Sequence, residues 1–101
     1  MNFCLFKGST YGRPGFSWDL VPGKLMQIDS GIFRVVWGLN RYHQVFYRTG
    51  ITWNRLKGTR WRFLRGLRLK YLSISQFGVW GVNRNYHIFF RRITPKSLQG
   101  K

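Results

Sequence analysis

Apolar residues in this chain come in short alternating runs and never at helical spacing. Trp18 to Val21, Leu25 to Asp29, Phe33 to Gly38 and Gln44 to Arg48 each read as a short strand, weighted toward Val and aromatic residues. Turn chemistry separates them: Pro22-Gly23, Ser30-Gly31 and Asn40-Arg41-Tyr42, with Asn40 expected to take the positive φ of a hairpin. A longer connection runs from Gly50 to Gly58, and the order then recurs. Trp61 to Leu64 is a strand, Gly66 opens a turn, and Leu69 to Ser75, Val79 to Val82 and His87 to Arg92 are strands. Phe77-Gly78 and Asn83-Arg84-Asn85 are the turns between them. Pro95 makes the tail a loop, Gly8 to Gly15 is a loop, and Phe3 to Lys7 reads as a strand of its own.

The recurrence extends to residue identity. Val36-Trp37-Gly38-Leu39-Asn40-Arg41 returns as Val79-Trp80-Gly81-Val82-Asn83-Arg84, 43 positions later. Gly15 and Trp18 return as Gly58 and Trp61, Gly23 as Gly66, and Val45-Phe46-Tyr47-Arg48 as Ile88-Phe89-Phe90-Arg91. Ile51-Thr52 matches Ile93-Thr94 after one skipped residue, and a second one-residue shift lies near Leu25 and Leu69. The repeat predicts units over 18–60 and 61–101, the second incomplete toward its end, with 1–17 closing a preceding unit. Four short strands every ~40–45 residues, with Gly and aromatic residues at fixed places, is the pattern of a β-propeller blade. The expected fold is therefore all-β: two four-stranded antiparallel blades of a partial ring. Trp18, Trp37, Trp61 and Trp80 would fill the space between blades. Gly38 and Gly81 would allow close strand approach, and Asn40 and Asn83 would hold the turns.

These motifs resemble the tectonin repeats of fish egg lectins, tachylectin-like lectins and slime-mould tectonins. The Val-Trp-Gly-Leu/Val-Asn core at 36–40 and 79–83 carries the resemblance, with the Val/Ile-Phe-Tyr/Phe-Arg strands at 45–48 and 88–91. The Gly-x-x-Trp openings and the Val21-Pro22-Gly23-Lys24-Leu25 turn fit as well. The resemblance implies a six-bladed lectin that binds bacterial lipopolysaccharide or related surface glycans in innate defence. It implies secretion, although no signal peptide is visible. Two units do not make such a ring. The chain would then be a piece of a longer one, or three copies would assemble. The turn after each Asn departs from the family in carrying Arg41-Tyr42-His43 and Arg84-Asn85-Tyr86, where small or acidic residues are usual.

Charge changes the picture of partners, not of fold. Among 101 residues there are 18 Lys and Arg against Asp19 and Asp29, a formal net charge of +16. Such a chain seeks phosphates, sulfates or acidic lipids. Arg55, Lys57, Arg60, Arg62, Arg65, Arg68 and Lys70 crowd together without an acid, interleaved with Trp53, Trp61, Phe63 and Tyr71. Cations that neutralise phosphate beside rings that stack on sugars or bases suit a polyanion. Arg41 and Arg84 join them from the turns, while the repeated Arg48 and Arg91 read as scaffold.

Catalysis and metal binding find little support. Asp19 and Asp29 lie on different strands, and their repeat counterparts are Arg62 and Ser73. His43 and His87 are out of repeat register, and the lone Cys4 forms no intrachain disulfide. No cofactor, metal or enzymatic activity is expected. Two functional classes follow: a lectin for anionic microbial glycans, and a binder of nucleic acid or anionic membrane for which sugar structure is irrelevant. A third reading is a non-functional lectin fragment.

Overall fold

The computed structural model describes residues 17–32 and 34–93. Seven strands form two antiparallel sheets. The first contains β1 (Gln27–Gly31), β2 (Val35–Leu39), β3 (Gln44–Thr49) and β4 (Arg60–Arg68), in that order. The second contains β5 (Tyr71–Ile74), β6 (Gly78–Val82) and β7 (Ile88–Arg92). No helix occurs among the described residues. The fold is all-β, as the alternating pattern predicts, with an open rather than closed arrangement of sheets.

Several features differ from the sequence expectation: Gly66, expected to open a turn after a strand ending at Leu64, lies instead in a bulge within β4. Trp18 to Val21 is not in a strand, and the second sheet has three strands among the described residues. The fourth strand of the first sheet is β4, which carries Trp61 and opens the second sequence repeat. Sheet and sequence repeat are thus out of phase by one strand. The Phe3 to Lys7 strand and the Pro95 tail lie outside the described residues.

Alternation places Trp37 and Leu39 of β2 and Val45 of β3 on one face of the first sheet, beside Gln27 and Asp29 of β1. Leu69, Leu72, Val79 and Ile93 meet that face and complete the buried core. Polar side chains also cross the seam. Gln27 Nε2 donates to the Leu72 carbonyl at 2.6 Å, and the Leu72 amide donates back to Gln27 Oε1 at 3.0 Å. The Ile74 amide donates to Asp29 Oδ2 at 2.7 Å. One of the chain's two acids is therefore spent on joining the sheets.

The paired turns are equivalent in detail. Asn40 Oδ1 accepts from the amides of Tyr42 and Gln44, and Asn83 Oδ1 accepts from those of Asn85 and His87. The positive φ falls on His43 and Tyr86, at +67° each, and not on the asparagines. The Asn side chain shapes the turn by accepting hydrogen bonds, which no apolar residue can do. Asn40→Ala or Asn83→Ala is expected to cost about 1–2 kcal/mol in urea unfolding, because two backbone donors lose their acceptor.

Candidate functional site

The basic residues lie chiefly along β4, the edge strand of the first sheet, and in the loops at its two ends. Pairing steps from Val45↔Leu64 to Gln44↔Arg68, which leaves Arg65, Gly66 and Leu67 bulged out of the ladder. Gly66 takes φ +103° there, and Gly23, its repeat counterpart, takes +126°. A β-carbon at Gly66 would meet nothing within 4 Å, so the requirement for glycine is conformational and not steric.

The strand divides the cluster into two ends. Arg55 and Lys57 sit in the β3–β4 connection beside Arg60. Lys57 Nζ pairs with Asp19 Oδ2 at 3.4 Å, so this cation is partly neutralised. At the opposite end Arg68 Nη1 donates to the Tyr42 carbonyl at 2.9 Å, fixing β4 to the β2–β3 turn. Arg41 lies over the Tyr42 ring at 5.4 Å. Lys70 lies over the Tyr86 ring of the β6–β7 turn at 4.8 Å. Arg62 is exposed opposite Tyr47, and Arg65 lines a cleft of about 250 Å³ between the sheets with Leu67, Phe89 and Arg91. Arg84 is exposed in the β6–β7 turn.

Sequence reasoning did not identify a cradle at the turn end. An open cleft of about 320 Å³ is lined by Lys24, Leu25, Met26, Asn40, Arg41 and Tyr42. Lys24 reaches it from a loop distant in sequence from the turn, and no local pattern signals that meeting. Cations, an aromatic ring and an amide converge here, a donor set suited to an anionic, ring-bearing ligand.

Arg48 is buried inside the sheet. Its Nε donates to the Lys57 carbonyl at 2.7 Å, and its guanidinium lies over the Trp61 ring at 5.0 Å. Burial lowers its pKa from the ordinary value by desolvating the charge. This arginine ties the long β3–β4 connection to the strand pair.

The tryptophans occupy different environments. Trp37 is 2% exposed, Trp61 is partly buried under Arg48, and Trp80 is 48% exposed. Trp18, expected to pack between blades, is 90% exposed, and among the described residues no sheet lies against it. Gly38 and Gly81 both admit a leucine: a β-carbon would fall 2.6 Å from Leu25 Cδ1 in one case and 2.5 Å from Leu69 Cδ1 in the other.

A family model described as the Tectonin domain matches residues 7–101. The chain belongs to the tectonin family. No curated protein matches it at a significant level. The two sheets are accordingly adjacent blades of a tectonin propeller, a lectin-type scaffold, and the ring they begin is not closed. Among the described residues no group of three or more His, Cys, Asp or Glu could hold a metal. Asp19 and Asp29 are engaged separately, one with Lys57 and the other with the Ile74 amide. His43 occupies a turn, and His87 is exposed ahead of β7. No helix of the described residues is long and apolar enough to cross a membrane.

Proposed function

We propose that this tectonin chain binds anionic glycans of microbial surfaces, with lipopolysaccharide the best fit, and acts by binding without catalysis. The observation that carries the reading is an acid-free, arginine-rich edge strand on a lectin-type scaffold. That strand leads, through the hydrogen bond from Arg68 to the Tyr42 carbonyl, to a cradle lined by Lys24, Arg41 and Tyr42. Phosphates of the glycan meet the guanidinium groups, and sugar faces stack on Tyr42 and Tyr86. Arg55, Lys57, Arg60, Arg62, Arg65 and Lys70 extend the positive surface along the strand and its flanking loops, and Arg84 extends it to the second turn.

Replacing Arg60, Arg62 and Arg65 together by Gln is expected to weaken binding to immobilised lipopolysaccharide roughly tenfold, at ~0.5 kcal/mol for each exposed charge contact. Unchanged binding would remove the central strand as the contact. The Lys24→Gln, Arg41→Gln pair then tests the cradle alone. Net charge favours a second reading, in which any polyanion is held. At +16 the chain attracts nucleic acid or anionic membrane without reading a sugar.

A further inference from the structure

The residues that pack the first sheet on the second recur on the outer faces of the two sheets, where no other described element covers them. In the first sheet Asp29↔Trp37↔Tyr47 and Gln27↔Leu39↔Val45 form the face buried by the second sheet. On the second sheet the same register gives Ser73↔Trp80↔Phe90 and Tyr71↔Val82↔Ile88. The ring pairs match as well: Trp37 and Tyr47 have centroids 5.7 Å apart, and Trp80 and Phe90 4.8 Å. Yet Tyr71, Trp80, Ile88 and Phe90 are all exposed. This face is built like a buried one.

The complementary surface lies on the outer side of the first sheet. The second sheet contributes Leu72, Val79 and Ile93 to the internal seam, all buried. Their repeat counterparts are Ile28, Val36 and Ile51. These three, with Leu56, line an outward cavity of about 500 Å³. Ile28 is 57% exposed, whereas Leu72 is fully buried.

Strand pairing points the same way. β4 adds to β3 with Trp61 opposite Arg48. The repeat counterpart of β3 is β7, whose far edge is unpaired among the described residues. The counterpart of the Trp61 stretch is Ser17–Val21, which is in no strand and holds Trp18 in solvent. A second copy that places Ile28, Val36 and Ile51 on the Trp80 face brings its own Ser17–Val21 to the β7 edge. The internal seam has this same arrangement, where β4 precedes the second sheet and completes the first.

We propose that copies of this chain associate head to tail. The Trp80 face of one copy docks on the Ile28 face of the next, whose Ser17–Val21 segment pairs with β7. The contact is heterologous, so it propagates to a ring or a linear array and does not stop at a two-fold dimer. Tyr71 does not reproduce the paired hydrogen bonds of Gln27, so the contact between copies is more apolar than the internal seam. The mutual repulsion of +16 chains opposes it, and added salt strengthens it by screening. This inference does not depend on the glycan reading.

The test uses Trp80→Asp, which blocks one face, and Ile28→Asp, which blocks the other. Both positions are exposed, and circular dichroism checks that each variant keeps the wild-type sheet signal. By sedimentation at roughly 0.3 M salt the wild type is expected to exceed the mass of a dimer. Each variant alone is expected at the 12.1 kDa monomer mass, and their equimolar mixture at twice that mass. A monomeric wild type at all concentrations would overturn the proposal. So would a mixture that stays monomeric, or an assembly that neither substitution disrupts.

Discussion

Trp37→Ala is expected to lower stability by about 3–5 kcal/mol, the usual cost of truncating a large buried aromatic residue. Trp37 is the largest fully buried side chain, and it belongs to a core cluster drawn from both sheets. Small domains hold roughly 5–15 kcal/mol in total, so the variant is expected to be largely unfolded near room temperature or to melt far below wild type. Trp80→Ala, at the equivalent position, is expected to cost about 1 kcal/mol in the monomer, because half of its surface is already in water. The sequence treats the two residues as interchangeable, and the fold does not. Trp37→Phe sharpens the comparison. The buried Trp37 Nε1 has no hydrogen-bond partner, so removing it sacrifices packing alone and is expected to cost less than half of the alanine effect. Urea unfolding of the three variants checks the order. Equal losses for Trp37→Ala and Trp80→Ala would contradict the placement of the seam.

The second large effect is expected at the glycines that follow these tryptophans. A β-carbon at Gly38 would lie 2.6 Å from Leu25 Cδ1 and 2.9 Å from the Gln27 carbonyl oxygen. At Gly81 it would lie 2.5 Å from Leu69 Cδ1 and 2.9 Å from Leu69 Cδ2. The first clash requires backbone to move, and the second displaces a leucine of the buried core. Each alanine substitution is therefore expected to cost about 1–3 kcal/mol by overpacking, against the small gain that alanine ordinarily brings to a strand. Unfolding curves of Gly38→Ala and Gly81→Ala measure it. A neutral result at either site would mean that the leucine does not sit over that glycine.

Much of this was legible in the sequence because the repeat is written in residue types whose physics is local. Gly23 and the Asn residues signal turns, and alternating Val and aromatic residues signal strands. The one-residue skip near Leu25 and Leu69 hides the register that places Gln27 opposite Leu39 and Tyr71 opposite Val82. Strand ends near it were accordingly misplaced by a residue or two. Strand exchange between repeats was not legible, since the partner of β4 depends on which edge is free and not on the composition of β4. The same holds for Trp18. Its type says that it packs, whereas its exposure depends on which sheets stand beside it, and none does among the described residues. At the candidate site the run from Arg55 to Lys70 was plain, but not its division into two ends. Nor was the pairing of Lys57 with Asp19, or the arrival of Lys24 beside Arg41. Those meetings join segments far apart in the chain.

Recognition of a sugar, as opposed to attraction to charge, is tested most directly by competition. The chain is held on a lipopolysaccharide surface at roughly 0.15 M and about 0.5 M salt, spanning a marked change in screening. Phosphate-free oligosaccharide from the same glycan is then added. Displacement at both salt concentrations is the predicted result. Binding that ignores the oligosaccharide, vanishes at the higher salt and is matched by single-stranded DNA would contradict the lectin account.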